Sequence, residues 1–490
     1  MTPLASRAQM KSPNAPVMLP ALVILAGALL RIVLLGVDAR LHPDEALFAA
    51  QARTVVTQGD TLLRSADLDK PPLAIYSLAA SFALLEPTEF AARLPNIFAS
   101  VLALAVLYRL ALALSRDRVT ALLAASLLAL SSYDLAFAAT AFTDVQATLW
   151  ALVAALLAAR GRWTWAGAAS ALMIATKLNT ALALPLIAAL GLAQTAREDG
   201  LPRTMLAQLG RFAGTLLAGL ALLALWDAAR APQSFWALNA ARNNPGRFIR
   251  SDELLPRLEA WGRWLHYVTG ALMLNFVLLA GALVNLGSGW RSRSRAALSD
   301  WLIAIWVVAF LAAHWLIAVN TYDRYLHPLV PFLLILAARG AVRAVRAARV
   351  PHAAAVGLLA LALVAMSPSV IGALRGNLPL GGDQGRHTGI DALADAINRD
   401  LAGAVVYEHG LGWELAFYLG DLPRAQVVHT PQPEALADEM RGRGDTRYFV
   451  APSAAHAAPW LDALARNAIT ARRIELEGTG AFALYALSAR

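Results

Sequence analysis

Three short polar clusters border long apolar runs in this chain: His42-Pro43-Asp44-Glu45, Asp69-Lys70-Pro71-Pro72 and Thr143-Asp144. Carboxylates at the edge of a membrane span are costly unless they face water and do something there. In that place an acid can act as general base on an incoming hydroxyl or amine. Cationic and phenolic side chains beside it can hold the charge that develops on a phosphate leaving group. The side chains suited to these roles are Asp44, Glu45 and Asp144 as acids, with Asp69, Lys70, Lys177, His266, Tyr322, Arg324 and Tyr325 as binding groups.

Each has a plainer alternative. Asp44 and Glu45 could serve only as acids in the first turn of a helix starting near Ala46, and Asp144 could be the N-cap of the next helix. Lys70 could extend along the interface, Arg324 could anchor a span, and His266, between Leu265 and Tyr267, could simply be packed. A divalent metal could draw on Asp44, Glu45, Asp69, Asp144 and His266, but no local ligand spacing marks one.

The elements that must position these groups are membrane helices. The chain has 490 residues, 58% hydrophobic and 15% charged, against ~25% charged in soluble proteins. Apolar runs of about 20 residues, enough to cross a ~30 Å hydrocarbon core, recur up to about residue 375. The net charge of +9 comes from basic residues clustered in short loops, as at 115–118 and 291–295. That is the pattern of cytoplasmic loops rather than of a nucleic-acid surface. The absence of cysteine removes disulfides, thiolate nucleophiles and Cys metal sites.

Loop charges set the topology. The run 73–85 is too short to span, and leaving it at the outer surface places Arg116 and Arg118 inside and Asp144 outside. Eleven spans then follow, near 17–36, 93–114, 119–139, 143–159, 163–176, 181–194, 205–226, 264–286, 301–319, 326–340 and 352–373. The N-terminus is cytoplasmic, and the acids and their cationic partners lie outside. From about 376 the pattern changes to short strands at 404–407, 425–428, 447–450 and 472–476, alternating with helices at 388–400, 412–419, 432–442 and 459–467. That alternation predicts a small α/β domain. The expected division is a transmembrane domain, 1–375, and an extracytoplasmic α/β domain, 376–490.

His42-Pro43-Asp44-Glu45, Asp69-Lys70-Pro71-Pro72-Leu73, Ala92-Arg93-Leu94-Pro95, Thr143-Asp144 and Arg324-Tyr325-Leu326-His327-Pro328-Leu329, in this order, resemble the bacterial relatives of protein O-mannosyltransferases. The lipid A aminoarabinose transferases belong to that group. The resemblance, over about residues 20–340, implies a GT-C fold with interfacial helices after the first span. It also implies transfer of a sugar from a polyprenyl-phosphate donor, such as undecaprenyl phosphate, to a lipid, glycan or protein acceptor at the outer face of a bacterial inner membrane. Asp44 matches the family's catalytic acid and Asp144 the acid of the second external loop. Asp69-Lys70 stands where relatives often carry Glu-Lys, and Arg324 and Tyr325 match the region that meets the lipid-linked phosphate. The implied mechanism is a direct, inverting displacement with Asp44 as base. The rival reading is a lipid-linked sugar flippase or secondary transporter, which would place ionisable groups near the bilayer midplane and often shows internal repeats. No such repeat is evident.

Overall fold

A computed structural model describes residues 15–195, 202–243, 246–290, 292, 294–420 and 424–489. The chain opens with α1 (Ala15–Leu34), α2 (Pro43–Thr57) and α3 (Leu73–Leu85), then α4 (Glu89–Ser115), α5 (Arg118–Ala129) and α6 (Ser132–Ala138). There follow α7 (Thr143–Ala159), α8 (Trp163–Thr176), a 3-10 turn at Leu178–Ala183 leading into α9 (Leu184–Thr195), and α10 (Pro202–Ala228). A connecting stretch carries α11 (Phe235–Asn243) and α12 (Leu254–Leu265). It precedes α13 (Leu272–Gly289), α14 (Arg295–Leu316), a 3-10 segment Asp323–Leu329 running into α15 (Val330–Ala347), and α16 (His352–Leu374).

Among the described residues seven helices are long and apolar enough to cross a membrane, or eight if α5 and α6, bent by 55°, form one broken span. The other expected spans are helices too, but α7 and α8 have only 17 and 14 residues, and α1 falls short over its described part, Met18–Leu34. α7 packs against α4, α8 and α9, and most of its residues are buried, so its ends meet protein rather than lipid. α3, at 13 residues, reaches only about 20 Å at 1.5 Å per residue, short of a bilayer. The expected span at 264–286 is broken: α12 ends at Leu265, and Gly270 turns the chain at φ +70° before α13 begins. A side chain there would meet Ser369 at 2.1 Å. The composition is apolar across this break, which hides it from hydropathy.

Alanine gives the bundle its packing. Ala103, Ala111, Ala121, Ala124, Ala151, Ala154 and Ala155 are buried between α4, α5 and α7 with Leu104, Leu107, Leu128 and Leu152. Small side chains let helix backbones approach closely where lipid gives no hydrophobic drive for association.

The C-terminal region alternates α17 (Ile390–Asp400), β1 (Val405–Glu408), α18 (Gly412–Tyr418), β2 (Gln426–His429), α19 (Pro433–Met440), β3 (Arg447–Ala451), α20 (Ala454–Arg466), β4 (Ile469–Ile474) and β5 (Ala483–Ala489). The sheet order is β2-β1-β3-β5-β4, with β2, β1 and β3 parallel and β5 antiparallel to both β3 and β4. β5 adds a strand to the four expected, and β4 starts at Ile469 rather than 472. Ile390, Leu393 and Ile397 of α17 lie one helical turn apart and pack on this sheet with Val406 and Val450.

α18 docks this region onto α2. Phe417 is buried with Phe48 and Phe82, and its carbonyl accepts a 2.8 Å hydrogen bond from Arg53. The Tyr418 hydroxyl accepts from the Leu41 N–H at 2.9 Å and donates to Glu89.

Candidate active site

The site is built from helix starts. At the head of α2, His42 Nδ1 accepts from the Asp44 N–H at 3.1 Å, and Glu45 Oε2 accepts from the His42 N–H at 2.9 Å. This reciprocal capping box needs a neutral ring, and burial holds His42 below its ordinary pKa. The other Glu45 oxygen accepts from the Ala141 N–H at 2.7 Å. Burial pushes Glu45 up to about 6 against the charge of Arg93. Arg93 itself ties down the approach to α2 by donating to the Ala39 carbonyl at 2.6 Å. Glu45 is fully buried and does the capping. The Asp44 carboxylate is left free for another partner, and it pairs with Arg324.

Asp144 sits in the first turn of α7, where Phe142 is the N-cap and has no side-chain bond to give. Its carboxylate therefore does not cap. Oδ1 accepts from Lys177 Nζ at 2.5 Å, while Oδ2 is buried and has no hydrogen-bond partner among the described residues. Burial pulls Lys177 below its ordinary pKa, with Asp144 opposing the shift. The ammonium also lies 4.7 Å from the centre of the Tyr325 ring.

Arg324 projects from the 3-10 segment 323–329 between three rings, at 4.2 Å from the centre of Tyr322, 5.2 Å from Phe142 and 5.6 Å from Tyr325. Its segment is pinned from behind. The Tyr133 hydroxyl donates to the Asp323 carbonyl, and the Asp323 carboxylate accepts from the Gly381 N–H at 2.9 Å. Gly381 has φ +68°, and a Cβ there would meet the Ala136 carbonyl at 2.5 Å.

On the far wall Lys70 Nζ donates to Asp69 at 2.5 Å, and the Asn243 amide of α11 donates to the same carboxylate at 3.0 Å. Burial raises Asp69, but the Lys70 and Asn243 bonds outweigh it and hold the acid below its ordinary pKa.

These groups line one cavity of about 550 Å³. Of the sequence candidates, Asp44, Asp69, Lys70, Asp144, Lys177, Arg324 and Tyr325 lie on its wall. Tyr322, Glu45 and His266 do not line it: the Tyr322 ring lies against Arg324, and Glu45 lines a second cavity of about 70 Å³ with Arg93. The His266 carbonyl accepts from Asn275 at 2.6 Å, and its ring meets Tyr267 edge-on. The cavity also takes in His314, Asn179, Asn239, Arg242, Asn243 and Trp413. Arg242 and Asn243 are readable only as polar loop residues, and the other four carry no motif. Asn239, Arg242 and Asn243 reach the cavity through bonds to Asp67 and Asp69, at least 170 positions away in the chain.

No three His, Asp or Glu side chains converge to hold a metal ion among the described residues. Asp44 and Asp144 are instead each turned to a cation.

Residues 69–230 match the model of the dolichyl-phosphate-mannose-protein mannosyltransferase family. No protein of curated function matches the sequence. Among solved structures, ArnT from Cupriavidus metallidurans bound to undecaprenyl phosphate is similar with a TM-score of 0.65 and 18% identity, over 95% of this chain and 97% of that one. The oligosaccharyltransferase AglB from Archaeoglobus fulgidus, in complex with an inhibitory peptide and a dolichol-phosphate, gives 0.55 and 12% over 93% and 72%. The arabinofuranosyltransferase AftD from mycobacteria gives 0.51 and 16% over 96% and 41%. The chain is thus a membrane protein with the GT-C fold of these glycosyltransferases, and its residues 69–230 carry the mannosyltransferase family's sequence pattern.

Proposed function

We propose that this chain transfers a sugar from a polyprenyl-phosphate-linked donor to an acceptor at the outer face of the membrane, with inversion at the anomeric carbon. The observation that carries this reading is the cavity whose wall brings together four carboxylates, Asp44, Asp67, Asp69 and Asp144, and four cations, Lys70, Lys177, Arg242 and Arg324. The phosphates in the names of the two lipid-bound structural neighbours support a lipid-phosphate donor.

Breaking the bond between the anomeric carbon and the phosphate oxygen turns a phosphodiester into a monoester with added negative charge. Arg324 and Lys177 would meet that charge, because a fork of N–H donors and an ammonium in a half-dry cavity stabilise developing anions strongly. The acceptor oxygen or nitrogen attacks the anomeric carbon from the opposite face and passes its proton to Asp44. Asp44 suits this role better than Asp144, with 39% of its side chain exposed against 2%. Asp144 holds Lys177 in place and keeps one oxygen available for a hydroxyl or amine of the substrate. Glu45 acts by fixing the turn that presents Asp44. Lys70, held by Asp69 and Asn243, steadies the donor phosphate from the other wall.

The test is to incubate purified protein in detergent with undecaprenyl-phosphate sugars and follow the release of undecaprenyl phosphate. Release with an inverted glycosidic product is the expected result. Movement of intact donor between leaflets of a vesicle, with no release, would make the chain a flippase instead.

A further inference from the structure

We infer that Trp413, contributed by the C-terminal region, is the platform on which a sugar ring stacks in this cavity. The inference rests on the glycosyl-transfer reading and deepens it.

Trp413 is the second residue of α18 and lines the cavity with 40% of its surface exposed. The other aromatic groups of the wall are already engaged. Arg324 covers Phe142, Lys177 covers Tyr325, and His314 stacks on Phe310 at 4.2 Å. Phe48 is buried in the core beneath. No ring or cation contact is made by the Trp413 indole among the described residues. A flat indole on the wall of a cavity that also carries charged and amide groups fits a sugar ring, whose C–H face is apolar and whose hydroxyl rim needs carboxylates and amides nearby. Asp44, Asp69 and Asn243 supply those on the same wall system.

The helix that carries the indole is anchored at both ends. Glu414, the next residue, is buried and lies 3.0 Å from His387 Nε2, while His387 Nδ1 bonds the buried Asp383. At the other end of α18, Phe417 and Tyr418 are fastened to Arg53, Leu41 and Glu89. α18 thus rides on α2, the helix that presents Asp44, so the two residues stand on elements packed against each other.

The test uses equilibrium binding to the purified full-length protein. The probes are undecaprenyl phosphate, its mannosyl, glucosyl and 4-amino-4-deoxyarabinosyl esters, and the methyl glycosides of those sugars. Trp413→Ala should weaken binding of at least one sugar-bearing probe by about tenfold, the scale of one aromatic contact. Trp413→Phe should fall between, and affinity for undecaprenyl phosphate itself should stay unchanged. A loss confined to an ester places the donor sugar on the indole, and a loss on a methyl glycoside places the acceptor there. Trp165→Ala, an exposed tryptophan outside the cavity, should change nothing. Unchanged affinity of Trp413→Ala for every sugar probe would overturn the inference. So would an equal loss for undecaprenyl phosphate, which would mean that the wall itself had collapsed. Indole-dependent binding of an ester that is never cleaved would instead count against glycosyl transfer and leave the platform standing.

Discussion

Two sets of ion pairs in this molecule look alike on paper and behave oppositely. Inside the bundle, Arg31 of α1 is fully buried, and all five of its N–H donors are used, on Ser100, Gly27, Ala129, Leu128 and Asp134. Asp134 also accepts from Ser100 at 2.6 Å and lies 3.3 Å from His327, whose Nδ1 is 2.8 Å from the Thr148 hydroxyl. In the cavity, Asp144 and Lys177 make one bond to each other, and a buried Asp144 oxygen has no partner. Asp44 has Arg324 and one open side. The inner network, in which Arg31 is saturated while His327 Nε2 makes no hydrogen bond, ties α1, α4, α6, α7 and the 323–329 segment together. The unsaturated pairs wait for a ligand. A buried charge with every hydrogen bond made is structural, whereas one left short of partners beside a cavity marks where substrate belongs.

Substitutions can break this comparison, and the largest effect is expected at Asp44. Asp44→Asn should lower the rate of undecaprenyl phosphate release by about 10² to 10⁴-fold, the usual contribution of a general base, with thermal stability nearly unchanged. Asp134→Asn should do the reverse. Removing one partner of a buried pair costs about 3–5 kcal/mol, seen as poor yield and a lower unfolding midpoint in detergent. If Asp134→Asn were stable but inactive, the inner network would be catalytic rather than structural. Arg324→Lys keeps the charge but loses the fork and the stacking on Tyr322 and Phe142, so affinity for undecaprenyl phosphate should fall about tenfold.

Glu45→Gln sharpens the contrast within a single turn. It turns an acceptor into a donor opposite backbone N–H groups and should cost about 1–3 kcal/mol of stability, with activity per folded molecule far less affected than in Asp44→Asn. The smallest effect concerns pH. Although burial lowers His387, its bonds to Asp383 and Glu414 raise it to about 9. A pKa raised on folding stabilises fully below the unfolded value and is lost as pH rises through the folded one. The stability difference between wild type and His387→Gln, read by thermal unfolding, should therefore be largest near pH 6 and shrink through about pH 9.

The membrane bundle was legible because apolar length and loop charge are strong signals, and Asp44, Asp144, Lys177 and Arg324 were legible because they are polar groups at the ends of those runs. The division of labour between neighbours was not. Asp44 and Glu45 are adjacent and chemically equal in the sequence, and only the fold buries one under Ala141 and turns the other to Arg324. Arg31 and Asp134 lie about a hundred positions apart, so no local pattern announces their pairing. β5 escaped for a different reason. It lies between β3 and β4, and its run Ala483-Leu484-Tyr485-Ala486-Leu487 has no polar–apolar alternation, so nothing in its period separates strand from helix. Trp413 carries no motif and reaches the cavity only because α18 docks on α2.

The unsaturated pairs are the proposed binding place of the lipid-linked phosphate. A high-resolution structure with undecaprenyl phosphate bound tests this directly. The phosphate is expected beside Arg324, Lys177 and Lys70, with the Asp44–Arg324 pair opened or shared and the Arg31–Asp134 network unmoved. A phosphate held elsewhere, in a midplane cavity open to both sides, with both cavity pairs intact, would contradict it.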